Sequence, residues 1–102
     1  MSGGNFVSLD DVNMPYSLEA EQAVLGSVLI DPSCITQVLI LVKPEYFYLP
    51  QHKAIFTIMQ ELDALGNKID PLIVLEKLKN EKVYDEATGK KYLFQLADLV
   101  PS

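Results

Sequence analysis

The chain has 102 residues, of which 49% are hydrophobic, and a formal net charge of −6. This length allows one domain with a single core, and the apolar content is too high for a disordered chain. A single cysteine excludes an internal disulfide and a structural zinc finger, the absence of arginine argues against direct contact with nucleic acid, and no apolar run is long enough to span a membrane.

Charge is unevenly distributed along the chain. Residues 1–42 contain five acidic residues and no lysine or arginine, whereas residues 43–102 contain eight lysines and nine acidic residues. An acidic front is typical of a surface that meets a basic protein partner, but it also serves solubility alone. The charge pattern leaves both interpretations open.

The first helix is predicted to begin at Ser17, after a flexible tail over residues 1–14 that is rich in Ser, Gly, Asn and Asp. Ser17 is a suitable N-cap, and Glu19 and Glu21 follow at the positive end of the helix dipole. A core-facing stripe at helical spacing is formed by Leu18, Val24, Leu25, Val28 and Leu29. Gly26 weakens this helix, which predicts that another helix backbone approaches closely at that point.

A second helix is predicted from Asp31, a cap, and Pro32, which suits the first helical position. Its inner face consists of Ile35, Val38, Leu39 and Val42. The turn between Pro44 and Pro50 is aromatic, and we expect its Phe47 to enter the core.

The third helix is predicted to be the longest, over Gln51–Leu65, with Gly66 as its left-handed stop. Its inner face consists of Ile55, Phe56, Ile58, Met59, Leu62 and Leu65. A fourth helix over Pro71–Lys79 repeats the Asp-Pro start of the second, with lysines near its negative end.

A last helix is expected to begin after Gly89, beyond a polar connection over residues 80–90. Its inner face consists of Leu93, Leu96, Ala97 and Val100. No segment alternates with a period of two for long enough to predict a strand. The sequence therefore predicts an all-α fold, a compact bundle of about five helices.

No residue pattern predicts catalysis or a bound cofactor or metal. His52 is the only histidine and lies beside the apolar stripe of the third helix, which favours a packing or hydrogen-bonding role over metal ligation. Cys34 is expected to be a buried or half-buried, small apolar residue rather than a nucleophile, since His52 is its only possible base. Neighbouring carboxylates are expected to be solvated, namely Glu19/Glu21, Glu61/Asp63 and Asp85/Glu86. The chain has neither GxxxxGK[ST] nor GxGxxG, the phosphate-binding loops of nucleotide-dependent enzymes.

Four segments, in order and over residues 15–102, are similar to the amino-terminal domain of bacterial replicative DNA helicases of the DnaB type. They read YSLEAEQAVLGSVLIDP, LVKPEYFYLPQHKAIF, LGNKIDPLIVLEKL and GKKYLFQLADLVPS. The resemblance implies a non-catalytic helical head that supports subunit pairing in the hexamer collar and docks primase, with a helicase loader as a further partner. It places the protein in the bacterial cytoplasm at the replication fork.

The resemblance also implies that this chain is a fragment. In the family, a helical hairpin and a linker follow the head, and a carboxy-terminal RecA-like domain carries the ATP and magnesium site and the single-strand DNA contacts. Without the hairpin, a monomer or a weak dimer is expected for this fragment. No cofactor, no nucleic acid and no membrane is expected to bind to it directly.

The docking surface is predicted to include Glu19, Glu86, Tyr92 and Phe94. The acidic front motivates the glutamates, and Tyr92 is at the edge of the inner stripe of the last helix. Phe94 is about 100° around from Leu93 and is expected to be an exposed aromatic contact. The alternative is that Tyr92 is half-buried core and the glutamates are only solvated.

Two other classes of function remain. A free-standing adaptor or inhibitor would imitate the helicase head and compete with it. A small enzyme would need a site that the sequence does not reveal, and the lack of a paired base and nucleophile counts against it.

Overall fold

The computed structural model of the chain describes residues 17–101. Within that range the fold consists of five α-helices and two 3₁₀ turns, without a strand. The helices are α1 (Leu18–Ile30), α2 (Ile35–Leu41), α3 (Pro50–Ala64), α4 (Pro71–Asn80) and α5 (Glu86–Asp98). The turns span Pro32–Cys34 and Pro44–Tyr46. The predicted all-α class is confirmed; the predicted tail over residues 1–14 lies outside the described residues.

Helix α5 lies between α1 and α4. Gln22 of α1 contacts Tyr92 of α5, and Gly26 packs against Leu96, so residue numbers rise together and α1 runs parallel to α5. Lys79 of α4 pairs instead with Glu86, just across the intervening turn, so α4 and α5 run antiparallel. Helices α3 and α2 complete the bundle on the other side of α1 and α4.

The core is a single apolar cluster to which each of the five described helices contributes side chains. Its central side chains, all of them with no more than 1% of their surface exposed, are Leu25, Val28, Ile55, Phe56, Ile58, Met59, Leu62, Val74, Leu78 and Leu96. Phe47 enters this core from the turn after α2, as the sequence predicts, and its ring centroid lies 5.0 Å from that of Phe56. The predicted inner face of α3 is confirmed except for Leu65, which is exposed beyond the last turn.

The contact at Gly26 explains a glycine inside a helix. A Cβ at this position would collide with the Leu96 carbonyl oxygen and would lie 2.7 Å from Val100 Cγ2. Only a glycine allows α1 and α5 to approach this closely. The predicted close approach of another helix backbone is confirmed.

Local signals set most helix ends. The Ser17 hydroxyl accepts a hydrogen bond from the Ala20 N–H at 3.2 Å, and the Asp70 carboxylate accepts one from the Leu72 N–H at 2.8 Å. Gly66 has a φ of +73° and stops α3, as predicted.

Three other predictions about local structure were wrong. Leu18 is 41% exposed, because helical side chains point towards the N-terminus and those of the first turn reach past the core. Asp31 makes no side-chain cap and instead accepts a hydrogen bond from the Ser33 hydroxyl at 2.6 Å, so a 3₁₀ turn precedes α2. Gly89 does not precede the last helix but lies buried within it, since α5 begins at Glu86.

None of the described helices is by itself long and apolar enough to cross a membrane. Helix α1 and the Pro32–Leu41 segment reach that length and composition only as a pair, and they are bent by 117° where they join.

Candidate docking site

Two of the four predicted docking residues lie at the same end of the bundle. Glu19 is in the first turn of α1 and Glu86 is the first residue of α5, and both are exposed. Because α1 and α5 run parallel, these two N-terminal turns face the same end of the molecule. This placement brings two carboxylates of the predicted acidic surface to one edge.

Glu86 carries an ion pair that the sequence does not reveal. Lys79 Nζ lies 2.6 Å from Glu86 Oε1 and 3.7 Å from Glu76 Oε1. The hydrogen bond from Lys79, followed by its charge, lowers the pKa of Glu86, and the same bond raises the pKa of Lys79. Both side chains are open to solvent, so the pair adds little to stability. It does partly neutralise the charge that Glu86 offers to a partner.

A depression beside Glu86 is the candidate docking site. Its volume is about 470 Å³ and it opens widely to solvent. The residues that line it come from the end of α4, the connecting turn and the start of α5: Lys79, Lys82, Val83, Tyr84, Asp85 and Glu86. Such a shallow, mixed apolar and charged surface suits a protruding partner side chain better than an enclosed small molecule.

The start of α5, which forms part of the rim of this depression, is capped by a side chain. The Asp85 carboxylate accepts hydrogen bonds from the Thr88 N–H at 2.9 Å and the Thr88 hydroxyl at 2.7 Å. These bonds, the side-chain one first, lower the pKa of Asp85. Gly89 then allows α5 to pack tightly, since a Cβ there would lie 2.7 Å from Leu75 Cδ1 and 3.0 Å from Tyr84 Cβ.

Tyr92 connects the depression to the interior. Its ring centroid lies 5.8 Å from that of Tyr84, which lines the depression, and 5.8 Å from that of His52, which is fully buried. Burial, and then the neighbouring Tyr92, raises the pKa of Tyr84. Tyr92 itself is half-buried, so a partner would meet only part of its ring.

A chain of hydrogen bonds runs inward from Tyr92 and joins α5, α3 and α1. The Tyr92 hydroxyl lies 2.6 Å from His52 Nε2, and His52 Nδ1 lies 2.8 Å from Glu21 Oε1. The other Glu21 oxygen accepts a hydrogen bond from the Tyr48 N–H at 2.6 Å. The Gln22 amide donates to the Tyr92 hydroxyl at 3.2 Å. We call Glu21, His52 and Tyr92 the buried clamp.

One arrangement of protons pairs every donor of the clamp with an acceptor. An ionised carboxylate can only accept, so Nδ1 of His52 carries the proton that faces Glu21. For a neutral imidazole, Nε2 then accepts from the Tyr92 hydroxyl, which in turn accepts from Gln22. Every member of the clamp is thereby satisfied, and such fully satisfied buried networks hold elements in one arrangement.

The clamp serves packing rather than chemistry. A carboxylate, an imidazole and a hydroxyl follow in the order of a catalytic triad. The hydroxyl, however, also accepts a hydrogen bond from the Gln22 amide, and it belongs to a tyrosine whose ring is packed between those of His52 and Tyr84. Among residues 17–101, no group of three or more potential ligands is placed to hold a metal ion.

The clamp settles two sequence predictions. His52 is a hydrogen-bonding histidine, as predicted. The prediction that Glu21 is solvated was wrong, since only 9% of its surface is exposed. Its burial could have been predicted from the sequence. Glu21 lies four residues before Leu25, which lies three before Val28, and this spacing places all three on one helix face.

Phe94 is separated from the other predicted docking residues. It is 47% exposed, as expected, but two residues along a helix correspond to a rotation of about 200°, so it points away from Tyr92. Phe94 and Tyr92 therefore cannot belong to one small contact point. Whether either residue binds a partner stays a prediction.

Comparison with known proteins identifies the fold that carries this site. Residues 13–102 match the family described as DnaB-like helicase N terminal domain. The chain belongs to this DnaB-type family. The sequence-based resemblance is thus confirmed, and the domain is the amino-terminal type found in replicative helicases.

Individual DnaB relatives agree with this assignment. The chain is 39% identical over 88 residues to the Replicative DNA helicase DnaB of Treponema pallidum (strain Nichols), covering 86% of this chain and 20% of that protein. It is 35% identical over 94 residues to the Replicative DNA helicase DnaC of Bacillus subtilis (strain 168), covering 92% of this chain and 21% of that protein. The chain therefore spans about a fifth of the length of these relatives.

A solved DnaB structure has the same fold. The crystal structure of the N-terminal domain of DnaB helicase from Mycobacterium tuberculosis superposes with a TM-score of 0.79 and 32% sequence identity. The match covers 86% of this chain and 61% of that one. All parts of the site described above lie in helices or turns of this DnaB-type head.

Proposed function

We propose that this domain is a non-catalytic assembly and docking module of a replicative DNA helicase. It helps to pair subunits in the collar of the hexamer and binds primase, with a helicase loader as a further partner. ATP-driven unwinding, with its ATP and magnesium, belongs to a separate motor domain of the parent protein. The parent acts in the bacterial cytoplasm at the replication fork.

One observation carries the proposal: residues 13–102 match the family described as DnaB-like helicase N terminal domain. A domain of this kind contributes surfaces rather than chemistry. The surface that best suits a partner is the end of the bundle that carries Glu19, Glu86 and the depression between α4 and α5. Its carboxylates favour a partner with a basic face, and its open shape favours an inserted side chain.

Binding of the 102-residue chain to its own primase tests the docking function. We expect binding that weakens as salt is added, because exposed charges are screened. Glu19→Lys and Glu86→Gln should mainly lower the association rate constant. If the Phe94 ring contacts primase, Phe94→Ala should weaken binding roughly tenfold.

Tyr92 needs two variants, because it also belongs to the buried clamp. Tyr92→Ala removes the ring and loosens the fold, whereas Tyr92→Phe removes only the hydroxyl and its hydrogen bonds. Reduced binding by a folded Tyr92→Ala head with unchanged binding by Tyr92→Phe would assign the ring to the contact. Glu61→Lys on α3 is the matched control, since Glu61 is an exposed glutamate on a different helix.

Two outcomes would contradict the proposal. If the Glu19, Glu86, Tyr92 and Phe94 variants all bind primase as the wild-type chain does, these residues are not the docking surface. If the wild-type chain binds no primase at low salt, the docking function itself fails for this domain, and a role in assembly alone is left.

A further inference from the structure

Phe94 lies apart from the end of the bundle that carries the depression, since eight residues, or about 12 Å of helix, separate it from Glu86. Among residues 17–101 it is the only exposed phenylalanine: 47% of its surface is exposed, against 4% for Phe47 and 0% for Phe56. Aromatic side chains are enriched where proteins meet partners, but one exposed apolar residue is normal by itself. The neighbours of Phe94 therefore decide what this position does.

Two lysines flank Phe94 on the outer side of α5. Lys90 and Lys91 are exposed and precede Phe94 by four and three residues, a spacing that brings side chains of one helix together, with about 5–6 Å between their Cβ atoms. At about 100° per residue, Phe94 points between the directions of the two lysines, whereas the buried Leu93 and Leu96 point the other way. We call Lys90, Lys91 and Phe94 the basic α5 face.

The fold does not use the charges of these two lysines. Within the part of the chain that the structure describes, neither takes part in an ion pair. Glu86 is one turn before Lys90, but its carboxylate pairs with Lys79 at 2.6 Å. The helix dipole favours cations in the last turn, and α5 has no basic residue there. Both ammonium groups are therefore available to another molecule.

The charge of the basic α5 face determines which partner suits it. Residues 87–97 contain two lysines and no acidic residue, whereas the whole chain carries −6, and Asp98 marks the end of the face. The local charge thus has the opposite sign to that of the chain and favours an acidic partner. A nucleic acid fits less well, because the whole chain repels a polyanion and contains no arginine.

We propose that the basic α5 face binds an acidic segment of a partner protein, in which an apolar side chain lies between carboxylates. The apolar side chain packs on the Phe94 ring, and the carboxylates pair with Lys90 and Lys91. This inference goes beyond the docking of primase and does not depend on it. The end that carries Glu19 and Glu86 suits a basic partner, so the domain offers two separate surfaces of opposite charge.

A peptide titration followed by nuclear magnetic resonance locates this contact. The isotope-labelled 102-residue chain is titrated with a peptide of three Glu-Glu-Leu repeats, and the amide chemical shifts are recorded. We expect saturable shifts at residues 87–98, reduced by added salt because the charges are exposed. A peptide of three Lys-Lys-Leu repeats should leave these amides unchanged.

Paired lysine variants test the charge contribution. Lys90→Gln combined with Lys91→Gln should weaken binding of the Glu-Glu-Leu peptide at least about fivefold, since both ion pairs are lost. Lys53→Gln combined with Lys68→Gln is the matched control, because these lysines are also exposed and their loss changes the net charge equally. We expect this control to bind as the wild-type chain does.

The aromatic contribution is tested in the same titration. Phe94→Ala should weaken binding roughly tenfold, because the apolar contact is lost while both lysines stay. Leu65→Ala is the matched control, since Leu65 is 70% exposed but lies at the end of α3. Circular dichroism shows whether Phe94→Ala is folded, and the lysine variants decide the question if it is not.

Three results would overturn the inference. The first is a Glu-Glu-Leu peptide that shifts no amide of α5. The second is an equal loss of binding in the two pairs of lysine variants, which would show that only the net charge matters. The third is an oligothymidine that shifts the same amides at lower concentration than the peptide, which would assign the face to nucleic acid. None of these results affects primase docking, which the Glu19 and Glu86 variants test separately.

Discussion

Replacing Gly26 by alanine tests whether the contact between α1 and α5 is as tight as the structure shows. Two effects oppose each other. Alanine favours an exposed helix interior over glycine by about 1 kcal/mol. At Gly26, however, the new Cβ would collide with the Leu96 carbonyl oxygen and approach Val100 Cγ2 to 2.7 Å.

The collision should outweigh the gain in helix propensity. Carbon atoms in contact lie about 3.5–4.0 Å apart, so α1 and α5 would have to separate. Overpacking of a well-packed core costs typically about 1–3 kcal/mol, and the upper end applies because a backbone carbonyl cannot rotate away. The net expectation is a loss of roughly 2 kcal/mol from a stability of about 5–15 kcal/mol. For a domain of this size, that loss lowers the Tm by roughly 8–16 °C.

Urea unfolding followed by circular dichroism gives the free energy of unfolding for Gly26→Ala and two controls. Ala23→Gly, at an exposed site of the same helix, measures the propensity effect alone and should cost up to about 1 kcal/mol. Gly89→Ala should cost less than Gly26→Ala, because its closest contact is the rotatable Leu75 side chain. A Gly26→Ala variant as stable as the wild type would refute the close packing of the two helices.

Three further predictions concern polar groups. His52→Leu should lower the free energy of unfolding by at least about 3 kcal/mol, because it leaves the buried Glu21 carboxylate without one of its donors. His52→Gln should recover part of this loss, and equal stability of the wild type and both variants would contradict the clamp. The hydrogen bonds that lower the pKa of Asp85 stabilise the fold fully above its ordinary value of 3.8, and this contribution is lost as the pH falls further. The stability difference between wild type and Asp85→Ala should therefore shrink in acid urea titrations, and a difference that grows there would be contrary evidence. Burial, and then the charge of Asp31, raises the pKa of the Cys34 thiol. Iodoacetamide should therefore alkylate Cys34 more slowly than an unstructured thiol at pH about 8, and Asp31→Asn should speed the reaction up. Equal rates for all three thiols would contradict a raised pKa at Cys34.

The fold was largely predictable because its signals are local. Ser17 and Asp70 cap their helices, Gly66 stops α3, and the apolar spacing of α3 and α5 places their inner residues in the core. The first residue of α5, predicted too late in the chain, was also marked by a local signal. The Asp85 cap with Thr88 three residues later is a helix start, but the glycine that follows obscured it.

The site was less predictable because it depends on contacts between distant parts of the chain. Glu21, His52 and Tyr92 come from three helices, and only the fold shows that they meet. The exposure of Ile40 and Leu41, by contrast, agrees with the inner face predicted for α2, which leaves both residues outside it. The ion pair between Lys79 and Glu86 required the antiparallel turn between α4 and α5.

The parallel pairing of α1 with α5 has a consequence for synthesis of the protein on the ribosome. Helix α1 is the first of the described helices to be synthesised, and its principal partner is α5, the last of them, whose Leu96 and Val100 cover Gly26. Helices α2 to α4 can form while translation continues, but the face of α1 around Gly26 stays open to water until the chain has been made beyond Val100. Folding of this domain should thus be completed in one late step, and a nascent chain stalled before that point should be sensitive to proteases along α1.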